Sequence, residues 1–227
     1  MKKIFAVLMI LLMLFLTSCD LFDFTEKATE TEETTVYPDT TNGTYYTKKP
    51  VIYLYPTKET EVSVLLNYKG ELTCTYPKYN DGWEVTAMPD GTLIDADGNE
   101  YYCLYWEGIA DAEMNFDKGF CIKGSDTAEF LRDTLKEIGL SDREANEFII
   151  YWLPIMQNNE YNIISFQTDA YTDLAELRIT PNPDSLLRVF MAYYPCDEYI
   201  DIEEQTFPIF ERNGFVAVEW GGGQCQR

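Results

Sequence analysis

The chain has 227 residues, of which 39 are acidic and 17 basic, and its net charge is −22. A surface this acidic repels phosphate backbones, so nucleic acid is disfavoured as a partner. The sequence also contains no histidine. This removes the commonest general base and zinc ligand, and it excludes His-dependent hydrolases and H-E-x-x-H metalloproteases in their usual form. We therefore predict neither a metal site nor a cofactor.

The first residues have the pattern of an export signal. Lys2 and Lys3 precede an unbroken apolar run, residues 4–16. A charged start, a short apolar stretch and small residues before a cleavage site are typical of a secretory signal peptide. The run would rise only about 20 Å as a helix, against roughly 30 Å of hydrocarbon. The sequence therefore predicts a signal peptide over 1–18 and no mature transmembrane span.

The Leu16-Thr17-Ser18-Cys19 tetrad resembles the lipobox of bacterial lipoproteins. The resemblance implies lipidation of Cys19 and anchoring at the extracytoplasmic face of the cell membrane. The alternative is an ordinary cleaved signal peptide with an incidental cysteine. Cleavage would leave 15 basic and 39 acidic residues and a net charge of −24. Besides the membrane itself, a glycan, cell-wall material or a basic protein could then be a partner.

Residues 19–48 are rich in Thr and Glu, are poor in aliphatic side chains, and contain Pro38 and Gly43. Such a segment cannot bury enough apolar surface to offset its ordering entropy. It is therefore predicted to be a disordered tether. The remaining 49–227 would form a single α+β domain, with two lobes over 49–124 and 125–227 as the alternative.

Apolar and polar residues alternate through the first half of this domain, which predicts short strands between Val62 and Lys123. Two helices should follow. The first has an apolar stripe from Ala128 to Ile138, a cap formed by Asp126 and Glu129, and an end at Gly139. The second begins at a capping box, Ser141 to Glu144, and has Ala145, Phe148, Ile149 and Trp152 facing inward until Pro154.

Strand patterns resume over 161–167, 174–180, 186–194 and 215–220. Strands, a helical pair and further strands in this order predict an α+β fold. We expect mainly antiparallel β-sheet or a sandwich, with a helical hairpin inserted mid-chain and both helices on one sheet face.

Five cysteines remain beside Cys19, and none forms a C-x-x-C pair. Cys74 and Cys103 lie in alternating apolar runs and are predicted to be buried small hydrophobic residues. Cys196 and Cys225 lie in turn-like and tail contexts, where a disulfide between them is one alternative.

Four sequence blocks resemble a family of uncharacterised bacterial proteins, several of them lipoproteins. The blocks are KPVIYLYP (49–56), NDGW (80–83), YWEG (105–108) and VEWGG (218–222). The resemblance runs from about Lys49 to Gly222. It implies a recurrent domain but no nameable activity.

Two short segments pair a carboxylate with an indole, Trp106-Glu107-Gly108 and Glu219-Trp220-Gly221. Carboxylates about 5 Å apart would suit a retaining glycosidase, and roughly 6.5–9.5 Å an inverting one. Glu107 and Glu219, aided by Asp111, are therefore the catalytic candidates. The alternative is that the tryptophans are core or rim residues and the glutamates solvated edge charges.

Seventeen tyrosines and four tryptophans suggest an aromatic binding surface. The candidate binding residues are Trp106, Trp220, Tyr79 and Trp83, and a tyrosine platform could include Tyr45, Tyr46, Tyr76, Tyr79, Tyr101 and Tyr102. Asp95 to Glu100 is interpreted as a hairpin turn rather than a calcium loop, because its glycine is not at the required position. Gly221 to Gly223 is interpreted as a flexible tail.

The leading hypothesis from the sequence is a non-catalytic, lipid-anchored binding or envelope-associated module. The first alternative is an extracytoplasmic glycan or cell-wall hydrolase that uses the carboxylate pair. The second is a structural lipoprotein that recruits a basic partner through charge.

Overall fold

A computed structural model describes the backbone of residues 40–225 and the side chains from Thr44 onward. The predicted signal peptide, Cys19 and the predicted tether up to residue 39 lie outside the described residues. The described residues, 40–225, belong to one compact unit. No helix between Thr40 and Cys225 is both long and apolar enough to cross a membrane.

Residues 40–225 contain twelve strands and three α-helices. The strands are β1 (Thr40–Tyr55), β2 (Thr60–Tyr68), β3 (Glu71–Tyr76), β4 (Trp83–Ala87), β5 (Leu93–Ile94), β6 (Glu100–Tyr101), β7 (Leu104–Asn115), β8 (Phe120–Lys123), β9 (Tyr161–Gln167), β10 (Ala175–Thr180), β11 (Ser185–Cys196) and β12 (Val216–Gln224). The helices are α1 (Thr127–Ile138), α2 (Asp142–Met156) and α3 (Asp169–Leu174). The predicted α+β class, rich in antiparallel sheet and with helices mid-chain, is confirmed.

The strands form two sheets. The larger has the order β3-β7-β1-β12-β11-β9-β8, and the smaller has the order β10-β2-β4-β5-β6. Every neighbouring pair is antiparallel except β11 and β12, which are parallel. Each sheet contains strands from both 49–124 and 125–227, since β1 pairs with β12, β8 with β9 and β2 with β10, so these ranges are not separate lobes.

Two hydrophobic cores define three layers. One core lies between the two sheets and contains Ile52, Leu54, Val64 and Trp83. The other lies between the opposite face of the larger sheet and the helical hairpin. Both helices therefore pack on one face of the sheet, as the sequence predicted. The second core includes Val51, Tyr53, Leu131, Leu135, Phe148, Trp152, Val218 and Trp220.

The caps of the helices follow the sequence closely. Ser141 and Glu144 form the predicted capping box at the start of α2, and Gly139 ends α1 with a φ of 114°, which favours glycine. Asp126 precedes α1 but makes no side-chain cap. Its carboxylate accepts a hydrogen bond from Ser125 Oγ instead. Pro154 lies inside α2, which continues for two further residues to Met156.

The first strand begins nine residues before the predicted domain boundary, so residues 40–48 are strand rather than tether. Their backbone pairs with β7, from Thr40 opposite Asn115 to Thr47 opposite Gly108. The prediction was wrong here because cross-strand hydrogen bonds order this segment despite its polar composition. The register then shifts between Thr47 and Val51, and Lys49 has a φ of 58°.

This shift is a β-bulge, and it reverses the alternation of β1. Before the bulge, Tyr45 faces the core between the sheets, whereas after it Ile52 and Leu54 do so. Tyr46 and Lys48 therefore face the helical layer together with Val51, although their spacing from Val51 does not fit a regular strand.

Residues 197–213 have no regular structure and close the β8 side of the larger sheet. Gln205 exchanges two hydrogen bonds with the backbone of Phe166, and Arg212 forms an ion pair with the buried carboxylate of Glu144. Phe207 contacts Phe120 and Phe166. This segment, absent from the sequence-based prediction, joins the sheet edge to the start of α2.

Cys74 and Cys103, both predicted to be buried, differ from each other in their exposure to solvent. Cys103 is buried, and burial raises the pKa of its thiol to about 12. Cys74 is exposed, which corrects the prediction. It lies on β3, the edge strand of the larger sheet, opposite Glu107, where neither core covers it.

Candidate functional site

The two candidate catalytic glutamates lie on opposite faces of the larger sheet. Glu219 is paired with Ile52, which faces the core between the sheets. In β7, Trp106 faces the core between the sheets, whereas Tyr105 packs on the helical side. Glu107 is two residues after Tyr105 and therefore lies on the helical side as well. Because successive side chains of a strand point to opposite faces, the sheet itself separates the two carboxylates. They cannot flank one glycosidic bond.

Glu219 is fully buried in an ion pair between the sheets. Its two oxygens accept hydrogen bonds from Trp106 Nε1 at 3.1 Å and from Arg188 Nε at 2.7 Å. The side chains of Arg188 and Glu219 are 10% and 0% exposed. The guanidinium of Arg188 also lies 4.6 Å from the ring centroid of Tyr171. Glu219 is thus a structural charge rather than a solvated edge charge or an accessible acid.

The parallel pairing of β11 and β12 creates this ion pair, because Arg188 lies directly opposite Glu219. Burial alone would lower the pKa of Arg188, but the adjacent carboxylate of Glu219 outweighs burial and raises it. Burial, together with the charge of Glu219, also raises the pKa of Tyr171 well above its usual value. Both basic and phenolic groups therefore keep their protons.

Glu107 stabilises the bulge in β1. Its carboxylate accepts a hydrogen bond from the backbone N–H of Lys49 at 3.2 Å and one from Lys48 Nζ at 3.1 Å. The left-handed backbone at Lys49 is unusual for a residue with a side chain. Glu107 thus holds the segment that turns Tyr46 and Lys48 toward the helices.

The other candidate residues are dispersed. Asp111 is exposed and accepts a hydrogen bond from Thr44 Oγ1. Trp106, Trp220 and Trp83 are buried, and Tyr79 is half-buried with its hydroxyl bonded to the backbone of Leu66. These four aromatic residues therefore present no accessible binding surface. The three tryptophans are core residues, which is the alternative interpretation that the sequence allowed.

The predicted tyrosine platform is also divided. Tyr45 and Tyr79 pack at the core between the sheets. Tyr76 contacts Tyr101 at a ring distance of 5.4 Å. Tyr46 lines a groove on the helical side of the larger sheet.

This groove is the strongest candidate for a binding site. It has a volume of about 330 Å³ and lies between α2 and strands β1, β11 and β12. We call it the aromatic groove and define it by Tyr46, Lys48, Tyr151, Trp152, Ile155, Tyr193 and Gln224. Ligand pockets commonly measure roughly 300–1,000 Å³ and combine aromatic walls with a few polar groups. The aromatic groove has both properties at the lower end of that size range.

Glycines of β12 shape the floor of the groove. Gly221 to Gly223 belong to this buried strand, so their interpretation as a flexible tail was wrong. A Cβ at Gly222 would lie 2.8 Å from Trp152 Cζ2 and 2.6 Å from the Met191 carbonyl oxygen. Glycine is therefore needed at this position for close packing, and it lets the indole of Trp152 lie against the sheet.

The walls of the groove are fixed by contacts among the aromatic side chains. The ring of Trp152 meets Tyr151 and Tyr193 edge-on, with centroid distances of 4.9 and 5.8 Å. Tyr193 donates its hydroxyl proton to Gln224 Oε1 at 3.2 Å, which leaves the Gln224 amide N–H groups as donors. Such interlocked rings hold their orientation without a ligand.

Charge is balanced at the mouth of the groove. Lys48 is paired with Glu107, and Lys49 Nζ lies 5.3 and 5.9 Å from the rings of Tyr105 and Tyr151. Burial, followed by the charge of Glu107, raises the pKa of both tyrosines. Burial also raises the pKa of Tyr193 to about 12. The phenols are therefore neutral hydrogen-bonding groups at physiological pH.

The raised tyrosine pKa values predict loss of stability in alkali. The folded protein holds these protons more tightly than the unfolded chain, so stability is complete below the unfolded pKa of about 10 and falls as the pH rises toward the folded values. For Tyr193 this range extends to a folded pKa of about 12. Urea unfolding at a series of pH values should show the decline.

Tyr171→Phe should make this decline less steep, because it removes one strongly perturbed phenol. Tyr199→Phe, at an exposed side chain, is the matched control and should leave the slope unchanged. A stability that stays constant to pH 12 would contradict the prediction.

Most residues of the aromatic groove were missed by sequence reasoning. Tyr151 and Ile155 are four residues apart on α2 and therefore share one face of that helix, which was the available signal. Lys48, Tyr193 and Gln224 come from three different strands, and no local pattern relates them to Tyr151.

Comparison with known proteins adds one partial relative. An uncharacterised protein of Butyrivibrio fibrisolvens, described as lying in the bglA 3′ region, is 49% identical over 63 residues. The match covers 26% of this chain and 65% of that relative. No family model matches the chain. No solved structure matches it either.

Proposed function

We propose that this protein is a lipid-anchored binding module at the extracytoplasmic face of the cell membrane, and that the aromatic groove is its binding site. The observation that carries the binding function is the groove itself, a preformed concave site with aromatic walls and several hydrogen-bonding groups. The lipobox-like tetrad ending in Cys19 supports the anchor. The chain between Cys19 and Thr40 would connect the two.

The separation of Glu107 from Glu219 favours binding over hydrolysis by a carboxylate pair. Each glutamate has a structural role of its own, one at the bulge and one between the sheets. The resemblance of four sequence blocks to a family of uncharacterised bacterial proteins would fit a recurrent module of this kind, whose ligand site can differ from one member to another.

Replacing Cys19 with Ala tests the anchor. We expect the variant to leave the membrane fraction and to incorporate no fatty-acid probe, because two or more acyl chains are needed for stable attachment and this thiol is where they would be added. Fractionation of expressing cells, followed by immunoblotting, measures the change. Cys74→Ala, at an exposed cysteine of the folded part, is the matched control and should remain membrane-bound.

A Cys19→Ala protein that stays with the membrane would rule out the anchor. So would recovery of the wild-type chain from the cytosol with residues 1–18 intact. Binding itself is tested separately, by sedimenting the full-length protein in detergent with cell envelopes that have been extracted with detergent to remove the lipid bilayer and that come from a strain lacking the gene. Failure to sediment would exclude an envelope ligand.

A further inference from the structure

We infer that the aromatic groove binds a short stretch of a neutral glycan, with pyranose rings lying against its tyrosines. This inference rests on the proposed binding function and names the class of its ligand. In this groove, aromatic rings, the amide group of Gln224 and a preformed concave surface coincide.

The exposed aromatic rings provide the apolar contact. Tyr46 is 45% exposed at one wall, and Tyr151 lies on α2 at the other. An aromatic face carries negative charge density and attracts the weakly positive C–H bonds on the flat face of a pyranose ring. Two such walls suit a flat ring with hydroxyl groups at its edge better than they suit an aliphatic chain.

The polar groups match the edge of a sugar ring. Three residues that line the groove, Tyr46, Tyr151 and Gln224, carry hydroxyl or amide groups that can exchange hydrogen bonds with ligand hydroxyls. Trp152 lines the groove, and its buried Nε1 has no hydrogen-bond partner among the described residues. A buried donor without a partner is unfavourable, so a ligand oxygen that reached it would improve binding.

Charge favours a neutral ligand over an anionic one. The ammonium of Lys48 is already paired with Glu107 at 3.1 Å, and that of Lys49 lies against the rings of Tyr105 and Tyr151, so a ligand carboxylate would have to compete with contacts that both cations already make. The mature chain would carry a net charge of −24, which repels anionic polymers as they approach. A neutral hexose, pentose or N-acetylhexosamine chain meets neither obstacle.

The volume limits the length of the bound segment. About 330 Å³ lies near the lower end of ligand-site volumes, so the groove holds a few rings of a longer chain. Affinity for one site of this size should be moderate, and several anchored copies would gain avidity on a polymer.

The test is titration of the full-length protein in detergent with four soluble probes, followed by calorimetry. The neutral probes are cellohexaose, xylohexaose and chitohexaose, and the anionic probe is hexagalacturonate. At least one neutral hexasaccharide is expected to bind, and hexagalacturonate should bind more weakly. For the probe that binds, Tyr46→Ala combined with Tyr151→Ala should weaken the affinity about tenfold or more, because two stacked rings are lost.

Tyr199→Ala is the matched control, since Tyr199 is 62% exposed but lies in a different groove beside α1. It should bind like the wild type. Circular dichroism verifies that every variant is folded. A Tyr46→Phe variant, which keeps the ring and removes the hydroxyl, should retain most of the affinity. It keeps the inference testable if the double variant does not fold.

Three results would overturn the inference: binding of none of the neutral probes, stronger binding of hexagalacturonate than of all of them, or unchanged affinity in the folded double variant. If the double variant still sediments with cell envelopes like the wild type, the envelope-binding function stands and the groove is not its site. If the wild type fails to sediment, the proposed function itself falls.

Discussion

Arg188→Met is expected to lower the free energy of unfolding by about 3–5 kcal/mol, because it leaves the carboxylate of Glu219 charged and unpaired between the two sheets. Glu219 is completely buried, and the ion pair is the only charged contact it makes within the described chain. Trp106 Nε1 would remain as a hydrogen-bond donor to this carboxylate. Urea unfolding followed by circular dichroism measures the loss.

The double variant Arg188→Met with Glu219→Leu should recover most of that loss. It removes both charges together, and the wild-type pair is incompletely satisfied because Arg188 Nη2 has no hydrogen-bond partner among the described residues. Replacement of a buried pair by apolar side chains is often neutral or stabilising. A double variant less stable than Arg188→Met would refute this account.

Arg178→Met is the matched control for the same residue type. Arg178 pairs with Glu176 at the surface, where the two side chains are 67% and 44% exposed. Exposed pairs contribute at most about 1 kcal/mol. Equal losses from Arg178→Met and Arg188→Met would mean that burial of the inner pair has no energetic consequence.

Gly222→Ala should destabilise the protein by about 1–3 kcal/mol through overpacking. Its new methyl group would lie 2.8 Å from the indole of Trp152 and 2.6 Å from the Met191 carbonyl oxygen. The rigid ring must move away from the strand, which would also change the floor of the aromatic groove. Unfolding by urea gives the stability, and oligosaccharide titration gives the effect on the groove.

A double-mutant cycle with Trp152→Leu tests the cause. If the methyl group acts by displacing the indole, the two substitutions should be non-additive by about 0.5–3 kcal/mol. Strict additivity would assign the cost of Gly222→Ala to the Met191 backbone alone. If Gly222→Ala left the free energy of unfolding unchanged, the prediction would be wrong, because the methyl group would then fit beside Trp152 and Met191 without cost.

Local signals were enough to predict the helical hairpin and most strands. The capping box at Ser141, the glycine after Ile138 and the alternation in 161–167 each depend on neighbours in sequence, and the structure has them as predicted. The fold class followed from their order. These elements were predictable because their hydrogen bonds and buried faces are set within a few residues.

The candidate site could not be predicted in the same way. Tyr46 lies more than a hundred residues before its groove neighbour Tyr151, and only the β1–β12–β11 order brings them together. The bulge at Lys49 adds to the difficulty, since it reverses the facing of the residues before it. Alternation read directly from the sequence would place Tyr46 on the wrong side of the sheet.

The inner ion pair had a usable signal that was not recognised. Arg188 interrupts an apolar run in one strand, and Glu219 does so in another with opposite charge. Two such interruptions in buried strands suggest a pair, because a lone buried charge is strongly disfavoured. Instead, Glu219 was grouped with Glu107 because each adjoins a tryptophan, although adjacent residues of a strand face opposite ways.

The long first strand, β1, would carry any force that acts between the proposed ligand and the proposed membrane anchor. Tyr46 would contact the proposed ligand from β1, and the same strand begins at Thr40, on the side of the chain that carries the proposed anchor at Cys19. A pull between polymer and membrane would thus load the β1–β7 and β1–β12 ladders along their length. Many backbone hydrogen bonds would then resist in shear at once, rather than opening one after another as in a zipper.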